Sequence, residues 1–318
     1  MCIFSRPVIS VDATQIFARL SGDGSQYLAY QMRYDSPEEN AMILPIPVKQ
    51  PANDQSIEFI NLENYDEFFD DLDRGFPYEH RPGIACSGAD SLAKDSLKVF
   101  EVGNYIASFV PTLSDFDRLD PQFKLPNEVW QSIPGYSGFG FAVFQLAAGS
   151  LKPHPMSFKF RNARQEIFFP TIHIHDGEVH ELEKFDHVLY MQHAGLDSSV
   201  YGYRNSHVED KSTGLIRSKH KASQFIKVSK SKRLIEGNLL VHRKIVRGKL
   251  PNDDSIFTPA GHPLKRSLNF RSLLPYFPLA FAVAGIAWFF NRRSKLKRIE
   301  ALRTKNTDWE DTDREDAT

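Results

Sequence analysis

Residues 15–33 read QIFARLSGDGSQYLAYQMR, two β-type runs, 15–20 and 26–33, either side of Gly22-Asp23-Gly24. Aromatic and branched side chains suit a pleated, half-buried surface, and glycine allows the backbone to reverse. The pattern predicts a hairpin. Working outward, residues 2–9 read as a further strand. Residues 41–48 (AMILPIPV) are apolar but carry Pro45 and Pro47. Proline cannot donate to a ladder, so this stretch is expected at a sheet edge or leaving the sheet.

The same rhythm recurs along the chain. Residues 97–110, 139–147, 157–160, 224–228 and 238–246 carry β patterning. Residues 61–69 suit a short amphipathic helix with Leu62, Tyr65, Phe68 and Phe69 inward. Residues 114–119 and 127–133 read as short helices, the second with Asn127 as N-cap. Residues 74–95 are rich in turn formers and read as a loop. The expected fold class is α+β, mostly β: an antiparallel sheet-rich globular domain with few short helices, followed by a single C-terminal transmembrane helix. The expected boundaries are 1–250 for the β-rich domain, with a subdomain break near 120–135, then 251–272 as a stalk. Residues 273–290 are the span and 291–318 a charged tail with a disordered acidic end.

The span is LLPYFPLAFAVAGIAWFF, eighteen positions without a charge or an amide, followed by Arg292, Arg293, Lys295, Lys297 and Arg298. At the helical rise it covers about 27 Å, close to a bilayer core of about 30 Å. Pro275 and Pro278 fall in the first turns, where a missing N–H costs least. The alternative is a buried core helix, but five turns without a polar face are unusual in a soluble domain.

With 318 residues, 41% hydrophobic and 25% charged, the chain is ordinary for a globular protein. Its net charge of −1 conceals an asymmetry. Residues 1–80 hold fourteen acidic against five basic residues, whereas residues 204–249 hold thirteen basic against three acidic. The two cysteines, Cys2 and Cys86, cannot build a disulfide scaffold. The N-terminus MCIFSRPVIS lacks the pattern of a signal peptide, which places the main domain in the cytoplasm. The heavier basic flank after the span points the other way, toward a cytoplasmic tail.

Five of eleven histidines fall between residues 173 and 193. Asp176-Gly177 sits between two β-type runs and predicts a two-residue turn. In that register His173 faces His180 and His175 faces Glu178, with all four on one side and Ile172, Ile174 and Val179 on the other. Opposed residues lie about 5 Å apart, so His173, His175, Glu178 and His180 form a candidate site for a divalent transition metal such as zinc. The alternatives are a solvated outer face and a pH-responsive patch.

Cys2 is a second candidate. Removal of Met1 would expose it as an N-terminal nucleophile with its own α-amino group as base, making the chain an N-terminal-cysteine hydrolase. The basic stretch 217–249, together with 292–298, suits anionic lipid headgroups. No nucleic-acid-binding motif accompanies it. Phosphate-loop, dinucleotide, Gly-x-Ser-x-Gly and His-Glu-x-x-His patterns are absent from the sequence. These features together predict a single-pass membrane-anchored binding or structural module, with metal binding and cysteine hydrolysis as alternatives.

Overall fold

The computed structural model describes residues 3–76, 100–103, 105–199, 209–210 and 213–259. The chain divides into two units, Met1–Leu264 and Lys265–Thr318, and every described residue lies in the first. The expected span at 273–290, the tail, Cys2 and most of the 74–95 loop lie outside the described residues.

The strands are β1 (Ile3–Phe4), β2 (Ser10–Leu20), β3 (Ser25–Ser36), β4 (Asn40–Ile46), β5 (Ile57–Asn61), β6 (Phe100–Val102), β7 (Tyr105–Val110) and β8 (Gly140–Leu146). They continue with β9 (Gly149–Leu151), β10 (Met156–Arg161), β11 (Ile167–Phe169), β12 (Leu182–Gln192), β13 (Ile216–Arg217), β14 (His242–Pro251) and β15 (Ser255–Phe257). Helices are short: α1 (Phe68–Arg74), α2 (Asn127–Ser132) and α3 (Ala194–Ser199), with short stretches of 3-10 helix elsewhere along the chain. A sheet-rich fold with few short helices is what the residue patterning predicts. Among the described residues no helix is long and apolar enough to cross a membrane.

The smaller sheet runs β1-β4-β8-β7-β6, and the larger runs β13-β14-β12-β2-β3-β10-β5 with β9 beside β3. Pairing is antiparallel except between β12 and β2, which run parallel with His187 opposite Thr14. The 15–33 hairpin forms as predicted, as β2 and β3, with Leu20 opposite Gln26 and Gly24 at φ +79°.

The two sheets share one core. Met42, Leu44 and Phe144 of the smaller sheet join Leu28, Tyr30, Phe158 and Leu189 of the larger in one buried cluster. Each such fully buried side chain stabilises the fold by about 1.5–3 kcal/mol. The other face of the larger sheet packs Phe17, Val188 and Tyr190 against Phe68, Phe69 and Leu234. There Arg19 donates to the carbonyls of Leu234 (2.9 Å) and Arg233 (2.5 Å), tying the 219–241 segment down across the sheet.

Four expectations need correction. First, β4 is interior to its sheet. It tolerates proline because β1 reaches only Met42 and Ile43, so Pro45 lies past its end, where a missing donor breaks no bond. Second, residues 224–228 are not a strand. They follow a 3-10 turn at Ala222–Gln224 and bond locally, with the Ile226 N–H donating to the Ala222 carbonyl (2.8 Å). Third, residues 251–257 are part of the fold rather than a stalk, since β14 ends at Pro251 and β15 pairs with β11. Fourth, the expected hairpin around Asp176-Gly177 has a turn without a ladder, for reasons given below. The 61–69 helix is half right. All four apolar residues are buried, but the α-helix begins only at Phe68.

Candidate functional site

Residues 171–175 run in a channel whose hydrogen-bonding positions are already taken. On one side the N–H groups of Phe4 and Val8 donate to the carbonyls of Ile174 (3.0 Å) and His175 (2.9 Å). On the other side a corner at 252–255 uses side chains in place of a strand. Asn252 Oδ1 accepts the His173 N–H (2.7 Å), and its Nδ2 donates to the carbonyls of His173 (2.9 Å) and His180 (3.0 Å). Asp254 Oδ1 accepts the N–H groups of Thr171 (2.8 Å) and Ile172 (3.2 Å). The Tyr136 hydroxyl donates to its other oxygen (2.8 Å). Loss of water around this carboxyl pushes its pKa up to about 6.

With both edges occupied, residues 179–181 cannot pair with 172–174. Asp176 instead closes the turn with its own side chain, accepting the Glu178 N–H (3.0 Å), and Gly177 takes φ +87°. The four predicted ligands therefore separate. Glu178 and His180 are exposed, and His180 Nε2 pairs with Asp176 (2.8 Å), which raises its pKa. His173 is fully buried and His175 half-buried. Among the described residues no group of three or more His, Cys, Asp or Glu side chains is arranged to hold a metal ion.

His173 meets a different partner. Strand β12 alternates so that Phe185, His187, Leu189 and Met191 share one face, and Leu189 and Met191 belong to the inter-sheet core. His187 reaches from this face to His173, Nε2 to Nε2 at 3.2 Å. The His173 ring also lies 4.2 Å from Phe185 and stacks on His175 at 5.2 Å, between centroids. Phe4 stands edge-on to His175 at 6.1 Å. His173 Nδ1 and His175 Nε2 are buried without a hydrogen-bond partner. Burial holds His173 well below the usual histidine range and lowers His175 to about 4, so both are neutral at pH 7.

His187 and Asn252 were not among the expected site residues. The alternation along 185–191 was the signal that could have placed His187 inward.

Two other features are built from polar groups. His242 on β14 is buried, and its Nε2 pairs with Asp197 Oδ1 (2.9 Å), whose other oxygen accepts the Leu240 N–H (2.9 Å). A cavity of about 350 Å³ is lined by Gln165, Glu166, His193, Gly195, Thr258 and Pro259. Gly195 packs closely there: a Cβ on it would meet the Pro259 carbonyl at 2.5 Å.

The basic stretch 217–249 does not present one uniform face. Lys227, Lys244 and Arg247 pair with Glu67, Glu209 and Asp186, and Arg243 is buried against Asp73. Lys219, Lys221, Lys232 and Arg233 are exposed.

No family model matches the chain. Among solved structures, a crystal structure of baculovirus P35 is 15% identical over 81% of this chain and 97% of that chain, with TM-score 0.36. A mutated baculovirus P35 after caspase cleavage is 16% identical over 77% and 98%, with TM-score 0.40. A caspase-8/P35 complex is 14% identical over 77% and 95%, with TM-score 0.36. Backbone agreement at this level does not carry residue roles across.

Proposed function

We propose that the chain is a single-pass membrane-anchored binding module, with the two-sheet domain carried at a bilayer by residues 273–290. The observation that carries this reading is the eighteen-residue run without a charge or amide, closed by five basic residues within the next eight positions. Its length suits a helix across the hydrocarbon core, and the basic flank suits anionic headgroups. The exposed cations Lys219, Lys221, Lys232 and Arg233 lend a second, weaker support, since basic residues near an anionic surface contribute about 1 kcal/mol each.

Fractionation tests the anchor. The full chain is expected in membranes that resist alkaline carbonate extraction, and a chain ending at Pro259 in the soluble fraction. Full-length protein in the soluble fraction would end this reading. Reporters fused at either terminus then assign the side of the membrane. The shortened chain also serves as bait for a protein partner. Caspase-8 enters that panel only because it is the partner in one solved complex, and the reading does not rest on it.

A further inference from the structure

We propose that the turn Ser231–Leu234, with Lys232 and Arg233 at its tip, is the contact by which the domain orients itself on an anionic phospholipid surface. The inference rests on the membrane-anchored reading above and names the face that meets the bilayer.

The turn is held in a conformation its residues do not favour. Lys232 and Arg233 lie at φ +46° and +70°, and the Leu234 N–H donates to the Ser231 carbonyl (2.8 Å). Two central residues at positive φ make the mirror-image kind of turn that Asn-Gly adopts readily. With a Cβ on both residues that backbone is strained. The surrounding structure enforces it. Leu234 and Ile235 are buried after the tip and Ser231 before it, where the Ser231 hydroxyl donates to the Val228 carbonyl (2.7 Å). Arg19, stacked 4.0 Å over the Tyr27 ring, donates to the carbonyls of Arg233 and Leu234. Gln192 holds both backbone groups of Glu236, at 2.9 Å and 3.0 Å. Strain of this kind persists where the residues themselves are needed. What Lys-Arg adds over Asn-Gly is two cations.

Both side chains are exposed, and among the described residues no carboxylate pairs with either. Their neighbours are engaged. Lys227 pairs with Glu67, Lys230 donates to the Asn64 carbonyl (3.3 Å), and Glu236 lies 3.9 Å from Arg19.

Magnitude decides what such a tip can do. Each basic residue near an anionic surface contributes roughly fivefold, so the pair gives roughly thirtyfold. That is too little to recruit a free protein. Thirteen residues, 260–272, separate the last described position from the apolar run, and a chain of that length spans at most about 45 Å. A domain tethered so near a bilayer has already lost most of the freedom that free binding costs, so thirtyfold is enough to select its orientation. A pinned backbone adds no loop-ordering cost.

The test places the full chain in vesicles of phosphatidylcholine, with or without phosphatidylserine. Surface lysines are acylated by a water-soluble reagent and read by mass spectrometry. Lys232 and Lys230 should react about tenfold more slowly on the phosphatidylserine vesicles, and concentrated salt should remove the difference. Lys152 is the control and should react alike on both. It follows β9, which pairs with the Tyr34–Ser36 end of β3, whereas Arg19 lies opposite Tyr27. Lys232→Asn/Arg233→Gly relaxes the turn and removes its charges. It should raise the urea midpoint and abolish the phosphatidylserine effect at Lys230, so the loss cannot be laid to unfolding. Equal reactivity of Lys232 on the two vesicles, or an effect that survives in the double variant, would overturn the proposal while leaving the anchor intact. Failure of the chain to float with either vesicle would end both. Shielding of Lys232 by polyglutamate but not by phosphatidylserine would overturn it in favour of an acidic protein partner.

Discussion

Two buried histidines on neighbouring strands solve the same problem differently. His242 on β14 is paired with a carboxylate, Asp197, which also holds a backbone N–H. His187 on β12 is paired with a second imidazole, His173. A carboxylate accepts from imidazole whether the ring is neutral or charged. Two imidazoles hold each other only while at least one nitrogen keeps its lone pair. A bond of the first kind survives in either ring state, whereas one of the second kind depends on a lone pair.

The largest expected effect breaks the first pair. Asp197→Ala leaves the buried His242 ring and the Leu240 N–H without an acceptor. At about 1–3 kcal/mol for each orphaned group, the loss should be about 4 kcal/mol, read as a lower urea midpoint at pH 7. A loss under about 1 kcal/mol would mean that water replaces the carboxylate, and the contrast would fail.

Acid should break the second pair. His175 has a folded pKa of about 4 against an ordinary value of 6.5. Its contribution is complete above pH 6.5 and lost as pH falls toward 4, a change of roughly 3 kcal/mol. Asp254 acts in the opposite sense. Its folded pKa of about 6 exceeds the ordinary 3.8, so its contribution is complete below 3.8 and lost as pH rises through 6. The two nearly cancel between pH 4 and 6, and His173, shifted further down, sets the net sign. Stability should therefore decline on acidification. Asp254→Asn should steepen the decline by about 3 kcal/mol between pH 6.5 and 4, followed by urea midpoints across that range. An unchanged slope would remove Asp254 from the account.

A double-mutant cycle sharpens the comparison at a smaller scale. His173→Leu and His187→Leu should each be destabilising, and the pair together less so than their sum, with a coupling of about 1 kcal/mol. Strict additivity would mean that the 3.2 Å contact contributes nothing. The smallest effect belongs to the surface: His180→Ala, which removes an exposed pair with Asp176, should leave the denaturation midpoint where it was.

Local pattern was legible in this chain and long-range pairing was not. Alternation and Gly22-Asp23-Gly24 foretell β2 and β3, because turn and strands are contiguous. Leu62, Tyr65, Phe68 and Phe69 were legible as inward-facing from their spacing and are all buried, although the α-helix begins only at Phe68. Asp176-Gly177 carries an equally good turn signal, and the turn is made. Its ladder fails because Phe4, Val8 and Asn252 compete for the same backbone groups, and no spacing within 169–182 reveals competitors so far away in sequence. For the same reason His173 was legible as a candidate while its partner was not. The likeness of Asn252 and Asp254 to stalk residues hid them too, since turn-forming composition does not distinguish a linker from a corner that clamps a neighbouring segment.

The parallel pairing of β12 with β2 bears on how the chain is made. The ribosome completes β2 about 160 residues before β12, a wait of about ten to thirty seconds at ordinary rates of synthesis. Throughout that interval the β2–β3 hairpin carries an open edge bearing Ile16, Phe17 and Ala18, the residues that later lie opposite Leu189, Tyr190 and Met191. Until Gln192 is made, the edge of β2 lacks the strand that covers it in the finished fold.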